Sequence, residues 1–270
     1  MLQARLYDPI TEHVLRLAGL GRGMRVLDVG CGAGDVSFLA AEIVGPTGAV
    51  LGIDAAADVL EVARSRAAVR GGSGPSTQGC LRFEQMTLPD VALEEPVDAV
   101  IGRLVLGHLP DPVAVLRHLS GLVRPGGLIL FQDFDNFSLR VEPPTPLVRT
   151  VLKSVADALT VKGRSLGAGA RLYSLFHQAG LAPARLSATT PMGGAEDATV
   201  LPLVVQTYRA LSQAALPGIS RGDDRARTIG DVETLLHRMH QEITTEHATV
   251  IMPTSVTAWS RTPGAGDGTS

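Results

Sequence analysis

Apolar residues in the first half of the chain form short runs that alternate with segments of helical periodicity. The runs predict buried strands at 24–30, 49–54, 80–86, 97–103 and 127–134. The periodic segments predict helices at 35–45, 55–70 and 111–124. Because strands that are apolar on both faces are typical of a parallel sheet covered by helices, the pattern predicts an α/β fold.

Helical periodicity dominates after residue 135. Helices are predicted at 142–160, 172–181, 198–216 and 231–246, and strands at 183–191 and within 247–262. No linker divides the chain, so we predict a single domain over 1–262 with a core at about 20–135. Segments at about 1–15, 142–165 and 193–246 are expected to form a substrate lid, and 263–270 a disordered tail.

Composition excludes several classes of protein. The 270 residues are 45% apolar with a net charge of −3, which does not suit intrinsic disorder. The balance of 24 basic and 27 acidic side chains argues against nucleic-acid binding, and no apolar run suits a membrane span. The amino terminus lacks a signal-peptide core, and Cys31 and Cys80 are too few for a disulfide framework. We expect a cytoplasmic monomer or homodimer.

The strongest chemical signal is VLDVGCGAGD, which places glycines at 30, 32 and 34 between a strand and a helix. Without β-carbons the backbone can bend sharply and approach a ligand, and the helix start offers free N–H groups. A dinucleotide fingerprint would need a third glycine at 35, which is Asp35. Asp54 ends the second strand, where a carboxylate can bind ribose hydroxyls or cap the next helix.

These residues, together with GID at 52–54 and LVRPGGLILFQD at 122–133, resemble a class I S-adenosylmethionine-dependent methyltransferase. The resemblance covers about 1–135 and is to small-molecule enzymes of quinone and natural-product pathways. It implies a Rossmann-like, mostly parallel sheet of seven strands in the order 3-2-1-4-5-7-6, with helices on both faces and the last strand antiparallel. It also implies S-adenosyl-L-methionine or S-adenosyl-L-homocysteine as cofactor, and a small-molecule substrate.

The resemblance further assigns parts of the cofactor to parts of the chain. The glycine loop would hold the methionine portion, and the end of the second strand would bind the ribose. The family's acidic residue after the third strand is replaced by Gln85-Met86-Thr87, whose Met86 can pack on the adenine and whose Thr87 can form a hydrogen bond. The implied cofactor-binding residues are Asp28, Gly30, Cys31, Gly32, Gly34, Asp54, Ala55, Met86 and Thr87.

Two more residues are expected near the cofactor, each with a structural alternative. Arg103 ends the fourth strand, where its planar fork could bind the cofactor carboxylate or a substrate acid, or form a surface salt bridge. Tyr7, in the segment QARLYDP, could close the pocket or merely pack within a frayed helix.

Candidate catalytic residues follow the fourth and fifth strands. His108 could deprotonate a substrate hydroxyl, since an ordinary imidazole has a pKa of about 6.5, or could cap its loop. Gln132 and Asp133 lie at the sheet edge where α/β proteins bind ligands and could orient a substrate. Asp133 and Asp135 lack a third ligand, so no metal is expected.

The function predicted from these features is methylation of a small, apolar metabolite in secondary metabolism, with oxygen as the expected acceptor. Transfer from a sulfonium is an in-line displacement, and alignment alone can lower its barrier by about 7–11 kcal/mol, so no catalytic triad is required. The alternative is a cyclase or pericyclase that binds the cofactor without transferring its methyl group, because a fold does not fix a chemistry.

Overall fold

The structure, a computed structural model, describes residues 2–71, 81–88, 90–161, 165–181, 183–213 and 224–264. Cys80 and residues 265–270 of the predicted tail lie outside this part of the chain. The strands are β1 (Arg25–Val29), β2 (Ala49–Asp54), β3 (Leu81–Gln85), β4 (Val97–Arg103), β5 (Val123–Asp135), β6 (Arg140–Glu142), β7 (Arg185–Thr189), β8 (Met192–Gly193), β9 (Thr249–Ile251) and β10 (Thr254–Arg261).

The helices cover most of the remaining described residues. They are α1 (Leu2–Leu17), α2 (Asp35–Val44), α3 (Ala57–Gly71), α4 (Pro112–Ser120), α5 (Pro146–Val161), α6 (Ala168–Gln178), α7 (Val200–Gln213), α8 (Asp224–Ile229) and α9 (Leu235–Thr245). Short 3-10 turns lie at Leu106–His108 and Asn136–Ser138. Among the described residues, no α-helix has both the length and the apolar character needed to cross a membrane.

Seven strands form one sheet in the spatial order β3-β2-β1-β4-β5-β10-β7. Within this sheet β7 is the sixth strand along the chain and β10 the seventh, so the predicted order 3-2-1-4-5-7-6 is confirmed. β1 pairs in parallel with β2 and β4, and β2–β3 and β4–β5 are also parallel pairs. The α/β, mostly parallel fold class predicted from the apolar runs is therefore correct.

β10 runs against β5. The N–H of Thr262 donates to the carbonyl of Gly127 at 2.9 Å, and the Gln132 amide donates to the Thr257 hydroxyl at 3.1 Å. Residue numbers therefore fall along β10 as they rise along β5, which is the pairing of antiparallel strands. This is the antiparallel strand that the resemblance implied.

The chain divides into two compact units. The sheet unit comprises Asp8–Asp133, Gly169–Ser187 and Val256–Ser270, and the helical unit comprises Met1–Tyr7, Phe134–Ala168 and Ala188–Ser255. The predicted lid segments at 142–165 and 193–246 fall in the helical unit, whereas the segment at 1–15 is shared between the two units. The single-domain assignment and the lid stay predictions.

Both faces of the large sheet carry an apolar core within the sheet unit. On one face Ile129 and Phe131 of β5 pack with α4 and α6, where Leu116 and Phe176 are fully buried. On the other face Leu128 and Leu130 pack with α1, α2 and β10 through Leu15, Val44 and Trp259. Because alternate residues of β5 serve opposite faces, the strand reads as one continuous apolar run.

The helical unit contains a second, three-stranded sheet of order β6-β9-β8, with β9 antiparallel to both neighbours. The apolar positions did not predict β6 or β8, which are only three and two residues long. Helices α5, α7 and α9 bury Val151, Leu201 and Met239. Glu242 of α9 accepts the backbone N–H groups of Leu147 and Val148, each at 2.9 Å, and so caps α5.

The predicted helix at 111–124 is wrong at its carboxyl end. Asp111 caps α4 by accepting the N–H of Ala114, but the helix stops at Ser120. Val123 already belongs to β5 and pairs with Val97 of β4. The apolar residues after Ser120 therefore satisfy a strand, because pairing across the sheet overrides local helical periodicity.

Candidate functional site

The glycine loop, residues 30–34, joins β1 to α2, and its three glycines adopt left-handed backbone conformations. Gly30, Gly32 and Gly34 have φ values of 63°, 54° and 86°, which residues with a β-carbon rarely adopt. The N–H of Cys31 donates to the Ile53 carbonyl at 2.9 Å, which ties the loop to β2. The loop therefore lies at the carboxyl ends of two parallel strands, where α/β sheets bind ligands.

The three glycines have different surroundings. A β-carbon on Gly30 would lie 2.6 Å from Val105 Cγ2, and one on Gly34 would lie 2.8 Å from Phe83 Cζ. A β-carbon on Gly32 would meet no described atom within 4 Å. Gly30 and Gly34 are thus needed for close packing, whereas Gly32, whose N–H is bonded to Asp54, has open space on the side where a β-carbon would lie.

Asp54 organises the loop from the end of β2. Its Oδ2 accepts the N–H of Gly32 at 2.9 Å, and its Oδ1 accepts the N–H of Ala56 at 3.0 Å. The second contact lies in the turn before α3, which begins at Ala57, and is not a side-chain cap of that helix. Since the carboxylate is only half-buried and each oxygen can accept a second hydrogen bond, ribose binding remains compatible with it.

The residues assigned to the adenine lie around Asp54. Parallel pairing places Gln85 of β3 opposite Asp54, and the Gln85 amide donates to the Ala55 carbonyl at 2.9 Å. The N–H of Met86 donates to the Asp54 carbonyl at 3.1 Å. Met86 is half-buried, and Ala55 and Thr87 are exposed. The structure thus brings Ala55 and Met86 to the same sheet edge as Asp54.

Asp28 lies beneath the loop and is buried. The Ser37 hydroxyl donates to its Oδ2 at 2.5 Å. Burial raises the pKa of Asp28 to about 7, and the Ser37 hydrogen bond and the positive charge of Arg103 oppose that rise. This carboxyl therefore titrates near neutral pH.

Arg103 is held by carboxylates from two helices. Its Nη1 donates to Asp8 Oδ1 at 2.8 Å and to the Thr11 hydroxyl at 3.0 Å, both on α1. Its Nη2 lies 3.8 Å from Asp35 Oδ2 at the start of α2. The salt bridge considered from the sequence is therefore present, but the Arg103 side chain is only 10% exposed, so the pair lies below the surface.

Gln132 and Asp133 end the buried part of β5, and both side chains are engaged. Gln132 accepts the Thr11 hydroxyl at 2.7 Å and donates to the Thr257 hydroxyl at 3.1 Å. Asp133 Oδ2 accepts the N–H of Gly107 at 3.1 Å, in the turn Leu106–His108. His108 is the exposed last residue of that turn. The candidates His108 and Asp133 are therefore connected through the Gly107 amide.

Two predicted cofactor residues have structural roles. Cys31 is buried, which raises the pKa of its thiol, and it packs with Phe38, Leu60 and Phe83. Tyr7 belongs to the helical unit, where its ring centroid lies 4.5 Å from that of Phe134 and its hydroxyl donates to the Pro253 carbonyl at 3.2 Å. Cofactor contacts of Cys31 and Tyr7 stay predictions. Across the described residues, no cluster of three His, Cys, Asp or Glu side chains could hold a metal ion.

Several residues that hold the site together could not be predicted from the sequence. Arg66 of α3 donates to the Ala33 carbonyl at 2.5 Å and to Asp35 Oδ1 at 2.7 Å, and its guanidinium lies 5.1 Å from the Phe38 ring centroid. Ser37, Asp8 and Thr11 were missed as well. The contact partners of these residues are distant in sequence, so no local sequence pattern identifies them. The helical spacing of Asp8 and Thr11 could have placed these two on one face of α1.

A family model for a methyltransferase domain matches residues 20–180. The ubiquinone biosynthesis O-methyltransferase of Colwellia psychrerythraea is 39% identical over 135 residues, which cover 47% of this chain and 50% of that protein. The chain spans about half the length of the curated relatives that it matches.

Solved structures with the same fold cover nearly the whole chain. The YcgJ protein of Bacillus subtilis aligns with a TM-score of 0.58 at 17% identity and covers 94% of this chain and 98% of its own. The [4+2]-cyclase SpnF aligns with a TM-score of 0.54 at 17% identity, covering 96% of this chain and 81% of its own. At these identities the likeness concerns the fold alone.

Proposed function

Since the chain belongs to the class I S-adenosylmethionine-dependent methyltransferases, we propose that it methylates a hydroxyl group of a small, apolar metabolite. The observation that carries the proposal is the glycine loop, which is open beside Gly32 and organised by the Asp54 carboxylate. The name of the Colwellia psychrerythraea relative favours oxygen as the acceptor. We place the reaction in cytoplasmic secondary metabolism, on the sequence resemblance and the low cysteine count.

The residues of the sheet unit fit this cofactor. S-adenosylmethionine, when bound, supplies an electrophilic methyl group on its sulfonium. The glycine loop would hold its methionine portion, Asp54 would accept the ribose hydroxyls, and Ala55, Met86 and Thr87 would line the adenine. Arg103 brings the fork of donors that a carboxylate requires. The half-buried carboxylate and the open side of the loop are the features on which this fit rests.

His108 is our candidate base. It is exposed at the carboxyl edge of the sheet, directly after the Gly107 amide that donates to buried Asp133. In our proposal the imidazole accepts the proton of the substrate hydroxyl, and Asp133 positions the turn that carries it. Because the base is lost and the cofactor site is not touched, His108→Ala should lower kcat while leaving cofactor affinity unchanged.

Calorimetry with S-adenosylmethionine tests the cofactor site. Asp54→Ala should weaken binding by about 10–100-fold, the effect expected for losing hydrogen bonds to a charged group. Asp58→Ala, which removes an exposed carboxylate from α3, is the matched control and should bind as the wild type does. Wild-type protein that fails to bind S-adenosylmethionine would refute the proposal.

The mass of the product separates methyl transfer from cyclisation. Incubation with S-adenosylmethionine and a panel of small phenols and other hydroxylated compounds should yield a product heavier by one methyl group, with release of S-adenosylhomocysteine. A product isomeric with its substrate would instead support the cyclase, for which the structure offers only a likeness of fold.

A further inference from the structure

A buried polar chain runs from α1 into the large sheet. Arg103 donates to Thr11 at 3.0 Å, Thr11 donates to Gln132 at 2.7 Å, and Gln132 donates to Thr257 at 3.1 Å. Thr11, Gln132 and Thr257 are each no more than 2% exposed. The chain therefore links α1, β4, β5 and β10 inside the sheet unit, with little access to water.

The direction of the hydrogen bonds in this chain follows from the chemistry of Arg103. A guanidinium can only donate, so the Thr11 oxygen must accept from it and the hydroxyl proton must point towards Gln132. That proton selects the carbonyl end of the Gln132 amide, which turns the NH₂ group towards Thr257. One hydroxyl thus sets the orientation of both the Arg103 fork and the Gln132 amide.

The backbone reinforces the same connection. Leu104 adopts φ 61° although it has a β-carbon, and its N–H donates to the Gln132 carbonyl at 2.8 Å. Such a conformation persists only where the surroundings hold it, and it is often found at functional sites. Gln132 therefore holds the segment of Arg103 through its main chain as well as through the Thr11 hydroxyl.

The Nη1 atom of Arg103 makes both contacts with α1, which turns the other edge of the guanidinium towards the start of α2. There Nη2 lies 3.8 Å from Asp35, the residue that directly follows the glycine loop. A guanidinium edge next to a helix amino terminus is suited to a carboxylate ligand.

We propose that Thr11 is a positioning residue that holds Arg103 to receive the carboxylate of the cofactor's amino-acid portion. Gln132, a catalytic candidate from the sequence, then serves the same purpose rather than contacting substrate. This inference rests on the proposed function, because it presupposes a cofactor with a carboxylate.

A double-mutant cycle with S-adenosylhomocysteine tests the inference. Thr11→Val keeps the size of the side chain and removes the hydroxyl, and it should weaken binding about tenfold, the loss expected for a hydrogen bond to a charged group. Arg103→Ala should weaken binding at least as much. In the Arg103→Ala background, Thr11→Val should have almost no further effect, because Thr11 acts through Arg103.

Rescue and control variants exclude a general loss of structure. Thr11→Ser restores the hydroxyl and should recover most of the affinity. Thr145→Val is the matched control. Thr145, like Thr11, is only 1% exposed, but its hydroxyl has no hydrogen-bond partner among the described residues. For 5′-methylthioadenosine, which lacks the carboxylate, Thr11→Val and wild type should show the same affinity.

The outcomes distinguish a failure of the positioning role from a failure of the proposed function. Additive effects of Thr11→Val and Arg103→Ala, or a parallel loss of affinity for 5′-methylthioadenosine, would overturn the positioning role while leaving the proposed function intact. Wild-type protein without affinity for S-adenosylhomocysteine would instead refute the proposed function itself.

Discussion

At the scale of single residues, the glycines of the loop are constrained by different neighbours. Val105 crowds Gly30 and Phe83 crowds Gly34, whereas open space adjoins Gly32. The spacing of the glycines in the sequence predicts a loop that approaches a ligand. It does not show which glycine is needed for packing and which for access, because Val105 and Phe83 come from distant parts of the chain.

Alanine at Gly32 and at Gly34 should therefore have different effects. Gly32→Ala should cost about 1–2 kcal/mol of stability, from the left-handed backbone alone, but should greatly weaken S-adenosylmethionine binding. Gly34→Ala adds a clash with Phe83 and should cost about 2–5 kcal/mol. Chemical denaturation and calorimetry measure the two effects. Equal loss of stability in both variants would contradict the assignment of open space to Gly32.

Asp28 makes the stability of the protein depend on pH. Burial raises its pKa from 3.8 to about 7, so between these values the folded state holds a proton that the unfolded state has lost. The free energy of unfolding therefore falls as the pH rises through this range. The asparagine of Asp28→Asn cannot ionise. Between about pH 5 and about pH 8, the free energy of unfolding of this variant should therefore fall by about 2–3 kcal/mol less than that of the wild type.

Denaturant titrations at the two pH values give this comparison. Asp58→Asn, on the exposed side of α3, serves as the control and should follow the wild type. Identical pH dependence of Asp28→Asn and wild type would show that the Asp28 carboxyl is not responsible.

At the scale of elements, α5 depends on a carboxylate from another helix. The hydroxyl of Thr145, directly before α5, has no hydrogen-bond partner in the described structure, and Glu242 of α9 instead accepts the N–H groups of Leu147 and Val148. Glu242→Ala should lower stability by about 1–2 kcal/mol, as expected for a lost cap near a helix dipole. Thermal unfolding measures the change. Glu246→Ala removes an exposed carboxylate just beyond α9 and should have little effect.

Most of the elements could be predicted because their burial pattern is local. β2 and β4 begin and end where the apolar runs place them, since both faces of these central strands are covered. The start of β5 escaped prediction because pairing with β4 overrides local helical periodicity. β6 and β8 escaped it because short strands are specified by their partners rather than by their own residues. The same reason explains the candidate site, where the loop and Asp54 have a local pattern but Asp8, Thr11 and Arg66 do not.

At the scale of the whole molecule, cofactor binding should stabilise the fold. A ligand that binds only the folded state at about 100 times its Kd adds about 2.7 kcal/mol to the free energy of unfolding. For a chain of this size that corresponds to a rise in Tm of about 5–10 °C. Differential scanning fluorimetry with S-adenosylmethionine measures the shift, and Asp54→Ala, with its weaker binding, should reduce it to about half or less at the same concentration. A full shift in Asp54→Ala would place the ligand elsewhere.

Trp259 is the single tryptophan of the sequence, and it lies 7% exposed among Leu15, Val44 and Leu130 in the core of the sheet unit. Its emission is therefore a built-in optical probe of one defined location. A red shift on denaturation would report the moment at which water enters the face of the sheet that α1 and α2 cover. Variants such as Glu242→Ala can then be ranked by whether their unfolding, followed by circular dichroism, coincides with that optical signal or precedes it.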